Sequence, residues 1–94
     1  MDFIGKYCLL RTYSAGVHIG ILRQFHGTHA VLEGARRIWK WNGANTLNEL
    51  SKRGVSKPSK ISEKVDKIML TQVIEIFECT QEAKNNLDKD QWKE

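Results

Sequence analysis

Between Lys6 and Trp41 the chain consists mostly of segments whose side chains divide between two faces with a period of two, which favours β structure. Four segments share the pattern: Lys6–Tyr13, Val17–Phe25, His29–Glu33 and Arg36–Trp41. Small or turn-forming residues separate them at Ser14–Gly16 and His26–Gly27, and a β-bulge is expected at Gly34–Ala35. The pattern predicts a β meander of three or four strands.

Two capping signals after residue 41 indicate short helices. Thr46 and Glu49 have the spacing of a capping box, and Gly54 is placed to end that helix about two turns later. Thr80 has the position of a second N-cap, before a helix predicted over Gln81–Leu87.

The remaining segments complete the predicted fold. Val55–Lys60 is predicted to be a basic loop, because it carries the only proline, Pro58. Two strands rich in Ile and Val are expected at Val65–Leu70 and Val73–Cys79. We expect a mainly β, β-rich α+β fold: a small antiparallel sheet of 5–6 strands, barrel-like or a half-sandwich, with one or two short helices. Residues 1–87 are expected to form a single β-rich domain, followed by a polar C-terminal tail at residues 88–94.

Length and composition restrict the kind of protein. With 94 residues, the chain is one domain with a small core, which excludes a multidomain enzyme and favours a homo-oligomer. Two cysteines are too few for a disulfide framework, and no apolar run is long enough for a membrane span. The first residues also lack the pattern of a signal peptide. The cytosol is therefore the expected compartment, with no membrane partner.

Charge is unevenly distributed along the chain. The 15 Lys and Arg side chains exceed the 11 Asp and Glu side chains, which gives a net charge of +4. Residues 1–60 hold ten basic and three acidic side chains, whereas residues 61–94 hold five and eight. A basic front and an acidic back indicate an anion-binding face or a self-complementary oligomer, although short sequences also reach such an imbalance by chance.

Candidates for catalysis are few. The sequence has no Gly-x-Ser-x-Gly motif, no phosphate-binding loop motif and no His-Glu-x-x-His motif. Cys8 with His18 is one candidate nucleophile and base, and a small buried cysteine in a strand is the simpler interpretation of Cys8. His26 and His29 have a spacing that ligates metals on helices, but here they flank a predicted turn. We expect a protein that is not an enzyme and that has no metal or cofactor.

The segment Arg36–Trp41 favours binding, because it interleaves cationic side chains with indoles. In a strand, Arg37, Trp39 and Trp41 share one face, and this combination suits a phosphate beside a base. The candidate ligand-binding residues are Arg11, Tyr13, Ser14, Gly16, Arg36, Arg37, Trp39 and Trp41. In the alternative interpretation, the two tryptophans are core residues of a small barrel, with Arg36 and Lys40 in solvent.

Two blocks of sequence resemble a family of small uncharacterised proteins from tailed bacteriophages and prophages. One block is Arg-Thr-Tyr-Ser-Ala-Gly-Val at residues 11–17, and the other is Ala-Arg-Arg-x-Trp-x-Trp at residues 35–41. The resemblance extends over residues 6–83. His18 and Lys40 depart from it, since an aromatic residue is familiar at both positions. The resemblance implies a phage accessory protein in the host bacterial cytoplasm, and it implies no particular activity.

The function that best combines these features is evasion of a host defence by capture of a signal. The candidate residues suit a nucleotide-derived anion, such as a cyclic nucleotide or an ADP-ribose derivative, and capture needs no catalytic carboxylate. We therefore expect a homo-oligomeric sponge that sequesters this small molecule. Two alternatives stay open: a protein that binds and inhibits a host protein, and a nucleic-acid-binding module whose affinity falls steeply with salt.

Overall fold

The computed structural model describes residues 2–89, and over these residues it contains six strands and two helices. In chain order the elements are β1 (Tyr7–Thr12), β2 (Val17–His26), β3 (His29–Asn42), α1 (Leu47–Arg53), β4 (Ser56–Ile61), β5 (Val65–Leu70), β6 (Val73–Glu78) and α2 (Gln81–Leu87). The expected β-rich α+β fold is confirmed, with a curled antiparallel sheet and two short helices.

The sheet runs in the order β4–β3–β2–β1–β6, and β5 also pairs with β3. With 14 residues, β3 is long enough to hold two partners along one edge: residues 30–35 pair with β5, and residues 38–42 pair with β4. The predicted bulge is confirmed, because Gly34 and Ala35 of β3 lie opposite Gly20 of β2, and Gly34 has a φ of +59°. β3 therefore passes from one partner strand to the other just after this bulge.

Apolar side chains on both faces of the sheet are buried. On the helix-side face, α1 and α2 cover a cluster that includes Leu9, Ile19, Ile38, Leu50 and Leu87. On the opposite side, here called the far face, the curled sheet buries a second cluster that includes Cys8, Leu10, Leu22, Leu32 and Leu70. Side chains alternate between the two faces along each strand. β1 lies between β2 and β6 and contributes to both clusters, which explains why its first four residues are all buried.

The two helices begin at the caps that the sequence predicts. The hydroxyl of Thr46 accepts a hydrogen bond from the Glu49 N–H (3.3 Å), and Gly54 ends α1 by donating its N–H to the Leu50 carbonyl (2.8 Å). The hydroxyl of Thr80 accepts from the Ala83 N–H at the start of α2 (3.0 Å). Over residues 2–89, each helix has seven residues, so neither is long enough to cross a membrane.

The prediction of a loop at Val55–Lys60 is wrong, because residues 56–61 form the edge strand β4. Three residues of β4 pair with β3: Ser56 with Asn42, Lys60 with Lys40, and Ile61 with Ile38. Proline is tolerated on an edge strand, since its missing N–H faces away from the ladder. This strand depends on a partner distant in sequence, and its own residues have weak β propensity.

The first two residues of the predicted tail are attached to the domain. Asp88 caps the end of α2 and forms an ion pair with Lys64 (3.0 Å). The carbonyl of Lys89 accepts a hydrogen bond from Arg36 (3.2 Å). The rest of the predicted tail, residues 90–94, lies outside the described residues.

Candidate functional site

A cleft opens where β3 passes from β5 to β4. It has a volume of about 160 Å³ and is lined by His18, Ala35, Arg36, Arg37, Ser62, Glu63, Val65 and Ile68. These residues come from β2, from residues 35–37 of β3, from the connection between β4 and β5, and from β5. The cleft forms because β4 and β5 pair with separate stretches of β3. The residues that connect β4 to β5 therefore lie beside β3, just after its bulge at Gly34 and Ala35.

Arg37 is held at this cleft by its backbone and by a glycine. Its N–H donates to Oγ of Ser62 (2.9 Å), and its carbonyl accepts from the Ser62 N–H (2.9 Å). Its side chain lies against Gly16, where an added Cβ would come within 3.2 Å of both Nε and Nη2 of Arg37. Gly16 also has a φ of +89°, which side chains disfavour. Glycine at residue 16 therefore lets the guanidinium lie against the β1–β2 turn.

The Arg37 guanidinium differs from the other arginine side chains in its partners. The chain has five arginines, all among the described residues. Arg36 donates to backbone carbonyls, and three others form ion pairs: Arg11–Glu75, Arg23–Glu33 and Arg53–Glu49. Over residues 2–89, the Arg37 guanidinium has neither an ion pair nor a hydrogen bond. A guanidinium without a protein acceptor is available to an anion.

His18 lies beside Arg37 and supports the turn that carries Gly16. It is only 4% exposed, it pairs with Arg37 in the β2–β3 register, and its Nε2 donates to the Ala15 carbonyl (2.9 Å). Burial lowers the pKa of His18, and the positive charge of Arg37 lowers it further, whereas the hydrogen bond to Ala15 opposes the shift. The imidazole is therefore neutral at physiological pH.

The lowered pKa of His18 predicts a loss of stability in mild acid. Below about pH 6.5, His18 of the unfolded chain binds a proton that His18 of the folded protein does not. The free energy of unfolding therefore decreases as the pH falls, until the pH reaches the lowered pKa of His18 in the folded protein. One such group contributes a slope of at most about 1.4 kcal/mol per pH unit. Urea denaturation between about pH 7.5 and pH 5 measures this slope. His18→Gln should reduce it and the exposed control His26→Gln should not; equal slopes in wild type and His18→Gln would contradict the assignment.

Arg36 faces away from Arg37, toward the helices. It is 2% exposed, and its Nε donates to the Ser62 carbonyl (2.8 Å). Its Nη1 donates to the carbonyls of Leu87 (3.4 Å) and Lys89 (3.2 Å). Although part of Arg36 borders the cleft, its guanidinium joins β3 to the end of α2. We assign it a structural role.

The two tryptophans lie on different parts of the surface. Trp39 is 49% exposed and is the extra residue of a bulge, since Ile38 and Lys40 pair with two consecutive residues of β4. The bulge changes the alternation along β3, and Trp41 packs against the helix-side cluster. Arg37 lies on the far face, so the prediction that Arg37, Trp39 and Trp41 share one face is wrong.

The other predicted site residues lie in and beside the β1–β2 turn. Tyr13 is 74% exposed, and Ser14 is exposed next to it. The hydroxyl of Thr12 accepts from the Ala15 N–H (2.8 Å) and donates to the Gly16 carbonyl (2.9 Å), which closes the turn. Arg11 lies on the helix-side face at the β6 edge. Of the eight predicted residues, Gly16 and Arg37 are in contact at the cleft, and Tyr13 and Ser14 share the turn of Gly16.

Sequence reasoning missed Ser62, Glu63, Val65 and Ile68 as cleft residues. Their position depends on the pairing of β4 and β5 with β3, which connects residues between 14 and 40 positions apart. No local signal in the sequence marks them. His18 is different, because the alternation of β2 already puts it on the face opposite Val17 and Ile19.

The two cysteines are buried in the described structure. Burial raises the pKa of Cys8 to about 11 and that of Cys79 to about 12. The Cys8 thiol donates to the Lys6 carbonyl (3.5 Å). Both thiols are therefore protonated at neutral pH. Over residues 2–89, no group of three or more His, Cys, Asp or Glu side chains is arranged to hold a metal ion.

Comparison with known families gives a match over almost the whole domain. Residues 5–87 match the model of a domain of unknown function, DUF6948. The chain belongs to the DUF6948 family. The match extends from β1 through α2, so every residue of the cleft lies within the DUF6948 domain. This confirms that the chain belongs to an uncharacterised family. Neither the curated proteins nor the solved structures gave a match.

Proposed function

We propose that this protein binds a small anionic, nucleotide-derived ligand at the cleft and sequesters it without catalysis. The observation that carries the proposal is the Arg37 guanidinium, which lies against Gly16 and has no protein acceptor over residues 2–89. A planar guanidinium donates two parallel hydrogen bonds to a phosphate, and this pairing is stronger than one between neutral groups.

The other lining residues suit the remaining parts of a nucleotide. Ala35, Val65 and Ile68 offer apolar surface to a ring, and the Glu63 carboxylate is an acceptor for ribose hydroxyls or an exocyclic amine. The cleft volume of about 160 Å³ is smaller than the roughly 300–1,000 Å³ of most small-molecule sites. The cleft therefore accommodates one part of the ligand, and the rest extends over the neighbouring surface. A second copy of the chain would cover that part in the proposed homo-oligomer.

The proposed setting is the cytoplasm of a bacterium infected by a phage. The resemblance of residues 11–17 and 35–41 to proteins of tailed phages and prophages supports this setting. A protein that sequesters a host immune signal needs affinity and abundance rather than turnover. The proposal therefore requires no catalytic group in the cleft.

Calorimetric titration tests the proposal. The purified protein is titrated with three ligand classes: cyclic dinucleotides, larger cyclic oligonucleotides and ADP-ribose derivatives. We expect one class to bind with a Kd below about 10 µM, which corresponds to about −7 kcal/mol. If no member of these classes binds more tightly than that, the proposal is wrong for them. Size-exclusion chromatography tests the homo-oligomer, which a strict monomer at high concentration would contradict.

Arg37→Ala is expected to weaken binding of the ligand found in this way by about tenfold or more, because it removes hydrogen bonds from a charged donor. Its melting temperature should stay close to that of the wild type, since the side chain is exposed and has no partner to lose. Arg23→Ala is the matched control, because Arg23 is an exposed arginine that pairs with Glu33 away from the cleft. Equal affinities of Arg37→Ala and Arg23→Ala would contradict the role of Arg37.

Exposed side chains favour a second candidate function, inhibition of a host protein. Tyr13, Trp39 and Met69 all have large exposed surfaces, and such residues anchor protein interfaces. Recovery of one stoichiometric partner from bacterial lysate, lost on Tyr13→Ala and Trp39→Ala, would favour this function over ligand capture.

A further inference from the structure

Two lysines extend the positive charge of Arg37 along the same face of the sheet. Lys40 and Lys60 lie directly opposite each other in the β3–β4 register. Lys60 precedes Ile61, which is buried on the helix-side face, so Lys60 lies on the far face. Arg37 precedes Ile38 and lies on the far face for the same reason. The bulge at Trp39 keeps Lys40 on the side of Lys60, and therefore on the side of Arg37.

This arrangement is unfavourable for the free protein. Like charges directly opposite each other on neighbouring strands destabilise a sheet. Over residues 2–89, neither Lys40 nor Lys60 has a carboxylate within 4 Å to offset the repulsion. A bound anion would supply the missing negative charge. We call Arg37, Lys40 and Lys60 the basic stripe.

The spacing along the basic stripe restricts the kind of anion. The Arg37 backbone is hydrogen-bonded to Ser62, which follows β4 and lies two residues, about 7 Å, beyond Lys60 along the chain. The Arg37 guanidinium is directed away from β4 and lies against Gly16, beside β2. The two phosphates of a pyrophosphate share one bridging oxygen and are closer together than this. Successive phosphates of an oligonucleotide are separated by a whole nucleoside.

We infer that the ligand is a short oligonucleotide, linear or cyclic, with one phosphodiester at Arg37 and the next at the Lys40–Lys60 pair. This inference rests on the proposed function and narrows its ligand to phosphates separated by a nucleoside. It excludes mononucleotides and ADP-ribose derivatives as the preferred class. Trp39 lies between Arg37 and Lys40 in β3, and its half-exposed indole offers a surface on which a base can stack.

Three probes test this inference by titration: AMP, ADP-ribose and the linear trinucleotide ApApA. ADP-ribose and ApApA carry two phosphates each, which are adjacent in the former and separated by a nucleoside in the latter. We expect ApApA to bind at least tenfold more tightly than ADP-ribose. Its affinity should fall with salt with a logarithmic slope of about −1.4, as expected for two neutralised phosphates of a single strand.

The double variant Lys40→Gln/Lys60→Gln should weaken ApApA binding by about tenfold and halve the salt slope to about −0.7. It should leave the affinity for AMP within about twofold of the wild type, since Arg37 is intact. Lys52→Gln/Lys67→Gln is the matched control, because both lysines are exposed, lack an ion pair over residues 2–89 and lie away from the stripe. The melting temperature of each variant checks its folding.

The outcomes separate this inference from the proposed function. If ADP-ribose binds as tightly as ApApA, or if the stripe variant and its control bind ApApA equally, the inference is wrong and the proposed function is unaffected. If none of the three probes binds, the inference is also wrong, and the broader screen of ligand classes decides the proposed function.

Discussion

Arg36→Ala is expected to lower the free energy of unfolding by about 3–5 kcal/mol, a large part of the roughly 5–15 kcal/mol available to a small domain. The guanidinium is buried and donates to three carbonyls, one on Leu87 at the end of α2 and one on Lys89 just after it. Carbonyls at a helix C-terminus carry partial negative charge and lack partners within the helix. The substitution removes their donor and leaves a cavity between β3 and α2, and both effects destabilise the protein.

Urea denaturation of Arg36→Ala beside Arg37→Ala measures this effect. The two residues are neighbours in β3, and each variant replaces an arginine by alanine. Arg37 differs from Arg36 because it is exposed and its guanidinium has no partner over residues 2–89. We expect a change below about 0.5 kcal/mol for Arg37→Ala. Arg36→Lys should not restore stability, because one ammonium cannot reach acceptors on two sides as a planar guanidinium does. A small and equal effect of both alanine variants would show that Arg36 does not join β3 to α2.

Gly54→Ala is expected to lower the free energy of unfolding by about 2–4 kcal/mol. Gly54 ends α1 with a φ of +82° and a ψ of −148°, a conformation that is essentially restricted to glycine. An added Cβ would also collide with the side chain of Asn86. Asn86 accepts a hydrogen bond from the Val55 N–H (2.8 Å) and donates one to the Val55 carbonyl (2.9 Å). The substitution therefore strains the backbone and separates α2 from the end of α1.

Gly27→Ala is the control for a glycine that has a positive φ but open space around it. Gly27 also has a positive φ, of +63°, but no atom lies within 4 Å of an added Cβ. We expect Gly27→Ala to cost only about 1 kcal/mol. Equal losses for the two variants in the same urea titration would mean that the contact with Asn86 contributes nothing to stability.

Local sequence patterns account for most of the fold. The alternation in β1 and β2, the caps at Thr46 and Thr80 and the bulge at Gly34 each depend on a few neighbouring residues, and each was predictable. β4 was not predictable, because its pairing with β3 joins distant residues and overrides the weak propensity of a segment that contains Pro58. The bulge at Trp39 was missed for the same reason, since it exists only opposite β4.

The candidate site was predictable only in part. Adjacent arginines in a strand must face opposite sides of a sheet, but the sequence does not say which side the helices cover. Because the helices cover the face on which Arg36 lies, Arg36 is buried against α2, whereas Arg37 lies on the other face and remains exposed at the cleft. Gly16 was identified as a residue for close approach, and the group that approaches it over residues 2–89 is Arg37 itself. The apolar wall of Val65 and Ile68 depends on the path of β5 and has no local signal.

The central claim is that the Arg37 guanidinium binds a phosphate at the cleft, and the Nε–H resonances of the five arginines measure this most directly. In ¹H–¹⁵N spectra of the protein titrated with ApApA, we expect the Arg37 Nε–H resonance to shift and to saturate with the ligand. The resonances of Arg11, Arg23 and Arg53 should stay in place, because these side chains keep their glutamate partners. A titration that shifts those resonances and leaves the Arg37 resonance unchanged would contradict the account.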